Sequence, residues 1–328
     1  MSDTLLDIVD ASRRFGGGKT LLGKPLPAVH AVQGVSVSVK KGETLGVVGE
    51  SGCGKSTLAR LIVGLDTPTD GTITFDGQDL VSEAKSNHRA LARKVQYVFQ
   101  DPVASLNPRK RIRSILEAPL IKLLGLDAKV REARLVELME AVNLAPEFID
   151  RYPHEFSGGQ AQRIGIARAL AADPELIVLD EPVSALDVSV QAQVLNILDG
   201  LKERFGLTYI FISHDLSVVE SISDRVAVMY FGRVVELGSA TEVFANPRHP
   251  YTQLLLKSAP VPGRKSQTSE DANTELPDPY NPPPGCAFYA RCDRCMDLCK
   301  TEPPKLDAEA TLADHLSACY NPLPSPRP

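Results

Sequence analysis

The chain has 328 residues, enough for one large core or two modest ones, and 43% of them are hydrophobic. Lysine and arginine total 36 against 41 acidic residues, a formal charge of −5 spread without long runs of one sign, so the charge advertises neither nucleic acid nor an anionic membrane surface. No apolar segment reaches the ~18 residues needed to cross a bilayer and Met1-Ser2-Asp3-Thr4 begins no signal peptide, so the chain is expected to stay in the cytosol.

Residues 5–80 read as strand-rich. Phe15 sits at the edge of the loop Gly16-Gly17-Gly18, where an aromatic can stack on adenine or simply close a strand end; spacing alone leaves both open. Val35, Val37 and Val39 alternate with Ser36 and Ser38, the pattern of a half-buried strand, and Lys41-Gly42 turns the chain toward the apolar run Leu45-Gly46-Val47-Val48. That run leads into Gly49-Glu50-Ser51-Gly52-Cys53-Gly54-Lys55-Ser56, followed by Thr57 and a helix start. The octet fits G-x-x-x-x-G-K-[ST], the P-loop, in the strand–loop–helix context the motif requires. Its glycines let several N–H groups turn inward, where they and the positive helix end bind phosphate oxygens. In this reading Lys55 reaches the β- and γ-phosphates of ATP and the Ser56 hydroxyl ligates Mg²⁺.

Further on, Thr72-Ile73-Thr74-Phe75 followed by Asp76-Gly77 signals a hairpin. From about 101 to 172 the character becomes helical. Leu135, Leu138, Met139 and Val142 recur at helical spacing, which predicts an amphipathic helix over 129–142 with the methionine as core filler, and the block reads as an inserted helical subdomain. Strands resume with Glu175-Leu176-Ile177-Val178-Leu179, ending at Asp180-Glu181, and with Leu207-Thr208-Tyr209-Ile210-Phe211-Ile212, ending at Ser213-His214-Asp215. Three strands thus deliver polar residues at their carboxyl ends, the edge where an open α/β sheet binds ligands. The Pro-, Ser- and charge-rich stretch 261–284 reads as a linker, and the tail over 285–328 is too small to hold itself together by a core.

Beside a P-loop, Asp180 suits the second Mg²⁺ anchor, directly or through water, and Glu181 is left free to polarise the attacking water as catalytic base. Taken alone, Asp180-Glu181-Pro182 is an acidic strand exit; the P-loop inverts that reading. His214 can reach the γ-phosphate and position the water, although a lone histidine is more often structural. Gln100, after Val95-Gln96-Tyr97-Val98-Phe99, carries an amide able to touch Mg²⁺ or the water. Phe156-Ser157-Gly158-Gly159-Gln160 precedes a helical stretch over 162–171, so a capping hydroxyl and bare N–H groups make a second phosphate-binding end. One ATP on one P-loop does not need it. Two chains arranged head to tail do, each closing its serine-glycine end over the other's ATP.

At these residues the sequence resembles the nucleotide-binding subunits of ABC transporters, over roughly residues 5–260. The resemblance implies an α/β P-loop NTPase of ABC type: a RecA-like mixed sheet, an N-terminal antiparallel β subdomain and an inserted helical subdomain. It implies ATP contacts from 49–57, with Phe15 near the adenine-stacking position, and a signature motif at Ser157, Gly158, Gly159 and Gln160 that meets the partner's ATP. It places Gln100 in the Q-loop, Asp180-Glu181 in Walker B, Asp187 in the D-loop and His214 as the switch histidine, with no element degenerate. Phe99-Gln100-Asp101-Pro102, Ser105-Leu106-Asn107-Pro108-Arg109 and Asn246-Pro247-Arg248-His249-Pro250-Tyr251-Thr252 look like the dipeptide/oligopeptide importer branch. That branch implies a peripheral subunit on the cytoplasmic side of the inner membrane. It pairs with a second, similar ATPase beneath two membrane-spanning permeases fed by an extracytoplasmic peptide-binding protein. Two other readings are a soluble ABC ATPase of translation or DNA maintenance, disfavoured by a single cassette, and a redox-responsive interaction module.

Five of the six cysteines crowd together as Cys286-x5-Cys292-x2-Cys295-x3-Cys299 and then Cys319. In a reducing compartment this suggests a metal site rather than a disulfide framework; four thiols suit a [4Fe–4S] cluster or zinc, with free thiols as the remaining option. The branch resemblance implies Cys286, Cys292, Cys299 and Cys319 as cluster ligands and leaves Cys295 as an extra. His315 can ligate as well, but reads first as a surface residue.

Overall fold

Strands β1 (Thr4–Gly16) and β2 (Ala28–Lys40) pair antiparallel, from Thr4 opposite Lys40 to Gly16 opposite Ala28. Val35, Val37 and Val39 are buried while Ser36 is exposed, as the alternation requires. The chain then turns into β3 (Thr44–Val48), buried along its whole length, which runs into the P-loop and the helix Lys55–Ile62. β4 (Asp70–Phe75) and β5 (Gln78–Asp79) form the expected hairpin; Asp76 and Gly77 both have positive φ, 49° and 76°, the turn whose twist matches its strands. These strands make a four-stranded antiparallel sheet of order β2-β1-β4-β5. The structure, a computed structural model, describes residues 3–18, 26–258, 276–306 and 315–324.

The second sheet adds β6 (Val95–Val98), β7 (Leu176–Asp180), β8 (Thr208–Ile212), β9 (Arg225–Tyr230), β10 (Arg233–Ser239) and β11 (Leu316–Ser317), in the order β11-β10-β9-β3-β8-β7-β6. β9, β3, β8, β7 and β6 run parallel; β10 and β11 are antiparallel, so the sheet is mixed, as expected. Successive residues of β7 enter two cores. Ile177 and Leu179 join Ile164 and Leu198, whereas Leu176 and Val178 join Leu58, Leu61 and the inner face of the antiparallel sheet. Burial on both faces explains why these strands read as unbroken apolar runs.

Between β6 and β7 lie the helices Pro102–Ser105, Ile112–Lys122, Ala128–Ala141 and Gly158–Leu170. The helix expected over 129–142 is Ala128–Ala141, started by the Asp127 carboxylate accepting from Val130 N–H at 3.0 Å, with Leu135, Leu138 and Met139 fully buried. Among the described residues no helix is long and apolar enough to cross a membrane.

The tail is tied in more closely than its composition suggests. Part of the expected linker, 261–275, lies outside the described residues; at its far end Pro279 accepts a hydrogen bond from the His30 N–H of β2 at 3.0 Å. β11 then extends the main sheet, with Ser317 opposite Glu236 and Leu316 opposite Leu237. His315, read from sequence as a surface residue, is 4% exposed, with Nε2 2.6 Å from Glu236 Oε1. The correction has a physical cause: Glu236 is fully buried and needs partners for its charge, and His315 supplies one.

Candidate functional site

The carboxyl ends of β3, β7 and β8 and the segment after β6 meet at a cleft of about 540 Å³. Ser51, Gly52, Gly54, Lys55, Ser56 and Thr57 line one end, and Gln100, Glu181 and His214 close one side. Val29, His30, Ala31, Phe231, Gly232 and Pro279 line the remainder.

Two P-loop positions admit only glycine. A Cβ on Gly49 would lie 2.2 Å from Met229 O, and one on Gly54, at φ 106°, would lie 2.3 Å from Ala31 O. Gly54 precedes the helix Lys55–Ile62, whose first N–H groups point into the cleft mouth. The Lys55 ammonium donates to Gly49 O at 2.7 Å and Glu50 O at 3.0 Å, so the loop's own carbonyls hold the cation at the site. Cys53 is wholly buried behind the loop, and burial pushes its thiol up. Neither Gly49 nor Cys53 lines the cleft.

Ser56 Oγ lies 3.3 Å from Asp180 Oδ1, so two hard oxygen donors from different elements stand side by side, a donor set suited to Mg²⁺. The other Asp180 oxygen accepts the Tyr97 hydroxyl at 2.5 Å. Burial first, and then the Asp180 carboxylate, push the Tyr97 hydroxyl well up, which keeps it a donor. Sequence reasoning passed over Tyr97. A hydroxyl-bearing ring in the short strand that leads to Gln100 was the available signal.

Glu181 sits at φ 48°, a left-handed conformation that costs a non-glycine residue about 1 kcal/mol. Its N–H donates to Ile212 O at 2.9 Å, which locks the strained turn to the end of β8. Glu181 Oε2 accepts from Gln100 Nε2 at 2.9 Å, and Oε1 lies 3.2 Å from His214 Nδ1. Three polar candidates delivered by three strands therefore form one continuous chain. His214 is 58% exposed along its side chain, so the chain opens to the cleft rather than into the core.

The residues 157–160 stand apart from this cleft. Ser157 caps the helix Gly158–Leu170 through a reciprocal pair: its Oγ accepts from Gln160 N–H at 3.4 Å, and Gln160 Oε1 accepts from Ser157 N–H at 3.0 Å. Gly159 packs so tightly on the helix Val188–Phe205 that a Cβ would lie 2.4 Å from Val190. Asp187 caps that second helix, accepting from Val190 N–H at 3.0 Å; this bond and the Ser189 hydroxyl hold its carboxyl below the usual range. None of these five residues lines the cleft, which leaves two separate helix N-termini suited to phosphate.

Phe15 does not line the cleft either. It lies within β1, opposite Val29, with the Arg13 guanidinium 4.7 Å from its ring centre. The far end of the cleft is made instead by β2 and Pro279.

In the tail, Cys286 and Cys319 are pushed up to about 11, by burial first and then by neighbouring thiols: Cys292 and Cys299 act on both. The thiols of Cys286, Cys292, Cys299 and Cys319 therefore share one neighbourhood, and all are unpaired. Among the described residues no three His, Cys, Asp or Glu side chains converge closely enough to hold a metal ion, so neither the expected [4Fe–4S] site nor a zinc site is seen among them.

Residues 32–184 match the ABC transporter family, and residues 235–299 match the C-terminal region of oligopeptide/dipeptide transporters. The oligopeptide transport ATP-binding protein AppF of Bacillus subtilis is 50% identical over 322 residues, 97% of each chain. The chain belongs to the ABC transporter ATP-binding proteins. The dipeptide transport ATP-binding protein DppF of Escherichia coli is 48% identical over 98% of this chain and 95% of its own length. Among solved structures, the dimeric post-hydrolysis state of the ATP-binding cassette MJ0796 bound to ADP and Pi superimposes with a TM-score of 0.64 at 28% identity, covering 72% of this chain and 99% of that one. The ABC fold read from the motifs is thus the fold observed, and the cassette is an ATP-hydrolysing one that uses ATP and Mg²⁺.

Proposed function

We propose that this ABC ATPase powers uptake of dipeptides or oligopeptides through two membrane-spanning permeases supplied by an extracytoplasmic binding protein. The observation that carries the reading is the match of residues 235–299 to the oligopeptide/dipeptide transporter C-terminal region, in a chain aligned nearly end to end with peptide transport ATP-binding proteins. The nucleotide lies in the cleft, its phosphates on the P-loop and Lys55, with Mg²⁺ held by Ser56, Asp180 and Gln100. Glu181 takes the proton of the attacking water, and His214 holds that water near the γ-phosphate. What supports these roles is the Gln100–Glu181–His214 chain opening onto the cleft.

The helix N-terminus at Ser157–Gln160 closes over the ATP of a second, similar ATPase subunit in a head-to-tail heterodimer, with Asp187 at the same seam. Its separation from the cleft of its own chain supports that assignment. The assembly sits on the cytoplasmic side of the inner membrane, and domain closure on ATP moves the permeases. Affinity purification of the tagged chain from detergent-solubilised membranes tests this. Recovery of two permeases and a second ATPase is the expected result; recovery with ribosomes or DNA proteins from the soluble fraction overturns it.

We further assign Cys286, Cys292, Cys299 and Cys319 to a [4Fe–4S] cluster in a unit over 285–328, beyond the ATP-binding domain 1–260 and the linker 261–284. Support comes from the crowding of five cysteines between Cys286 and Cys319. Iron and acid-labile sulfide are expected in anaerobically purified protein and are lost in Cys319→Ser but not in Cys295→Ser.

A further inference from the structure

The cysteine-rich extension reaches back to the P-loop through the side chain of Arg291. The Arg291 guanidinium grips both carboxylate oxygens of Glu50, Nη1 to Oε2 and Nη2 to Oε1, each at 2.9 Å. This is the bidentate geometry in which arginine gains most from a carboxylate. Arg291 is 8% exposed along its side chain, and its guanidinium carbon lies 5.8 Å and 5.6 Å from the ring centres of Tyr230 and Phe288, so aromatic faces restrict its rotation.

Glu50 is not an ordinary loop residue. Its N–H donates to the Tyr251 hydroxyl at 2.9 Å, its carboxylate is taken by Arg291, and its carbonyl accepts from Lys55 Nζ at 3.0 Å. Tyr251 and Arg291 belong to the last third of the chain and touch each other's aromatic neighbours, Tyr230 and Phe288. The outer shoulder of the P-loop is thus fixed from behind, while Ser51, Gly52, Gly54 and Lys55 face the cleft. With the Glu50 N–H and side chain both tethered, the direction of its carbonyl has little freedom, and that carbonyl is one of the two oxygens holding Lys55.

We propose that Arg291 is a positioning residue of the nucleotide site, holding Glu50 and through its carbonyl the Lys55 ammonium in the phosphate-binding arrangement. The inference rests on reading the cleft as the ATP site. It makes the extension part of the ATPase rather than a separate attachment, and it assigns the effect to nucleotide affinity rather than to the hydrolytic step, because Arg291 touches neither Glu181 nor His214.

Binding of a fluorescent ATP analogue with Mg²⁺ to the full chain, and the KM and kcat of the assembled transporter, test this. Arg291→Gln is expected to weaken ATP binding by about three- to tenfold and raise KM by the same factor, with kcat within about twofold. Arg291→Lys keeps the charge without the fork and recovers part of the loss. The Glu50→Gln/Arg291→Gln double variant binds no more weakly than the poorer single variant. Arg294→Gln removes the Arg294 hydrogen bonds to Asn321, at 3.1 Å and 2.8 Å, within the same extension but away from the loop, and leaves ATP affinity unchanged. Wild-type affinity in Arg291→Gln, additive single effects, or an equal loss in Arg294→Gln each overturn the proposal. Failure of the wild-type chain to bind the analogue overturns the reading of the cleft itself.

Discussion

Glu181, just after β7, and Glu236, within β10, each face a histidine: His214 Nδ1 stands 3.2 Å from the first and His315 Nε2 2.6 Å from the second. Glu236 is fully buried, and its oxygens also accept the Arg248 and His249 N–H groups at 2.7 and 2.8 Å, so both have protein partners and water has no approach. Glu181 accepts one Gln100 amide, keeps a path to the cleft and sits in a strained turn. The same pair of residue types therefore ties a tail to a sheet in one place and opens onto the cleft in the other, where we propose that the glutamate is the catalytic base. Partners and access, rather than residue identity, set the role.

The contrast can be broken at four points. The largest effect is expected for Glu181→Gln: ATP turnover falls about a thousandfold while ATP affinity and melting temperature hold, since only the proton acceptor is lost. Normal turnover would remove Glu181 from the base role. Glu236→Gln should do the reverse, costing about 3 kcal/mol of stability by thermal or denaturant unfolding and leaving turnover per folded molecule within about threefold.

A third test uses pH. Burial depresses His249 to about 4 from an ordinary value of 6.5, and its Nδ1 accepts the Tyr251 N–H at 3.0 Å, which requires the neutral ring. The unfolded chain therefore binds a proton that the folded chain refuses between those values. Stability is full above about 6.5 and falls by up to about 3 kcal/mol as pH drops toward 4. His249→Gln should flatten that part of the stability profile; an unchanged slope would show that the ring titrates alike in both states.

Tyr97 is the intermediate case, a half-buried donor to Asp180. Tyr97→Phe is expected to raise the Mg²⁺ concentration needed for half-maximal ATPase activity by roughly tenfold, the smallest of the four effects. An unchanged Mg²⁺ requirement would make the Tyr97 contact purely structural.

Legibility followed locality. The P-loop, Asp180-Glu181 and the Ser157 cap are each specified by consecutive residues, because a tight turn, a strand exit or a helix start needs its chemistry within one stretch of chain. The hairpin at Asp76-Gly77 was readable for the same reason. His315 and Tyr97 were misjudged or passed over because their partners are distant in sequence. His315 finds Glu236, and Tyr97 meets Asp180 across β6 and β7.

The sequence by itself determined the nucleotide chemistry, the mixed α/β class and the helical insertion, since backbone geometry at glycines and the period of apolar residues act over a few residues at a time. Tertiary structure alone decided what shares a surface. It placed Gln100, Glu181 and His214 in one contiguous polar chain, made β11 a strand of the main sheet and set Arg291 against Glu50. Those contacts arise because polar side chains and strand edges pair with whatever the packed sheet brings beside them, and no local pattern encodes which distant residue will answer.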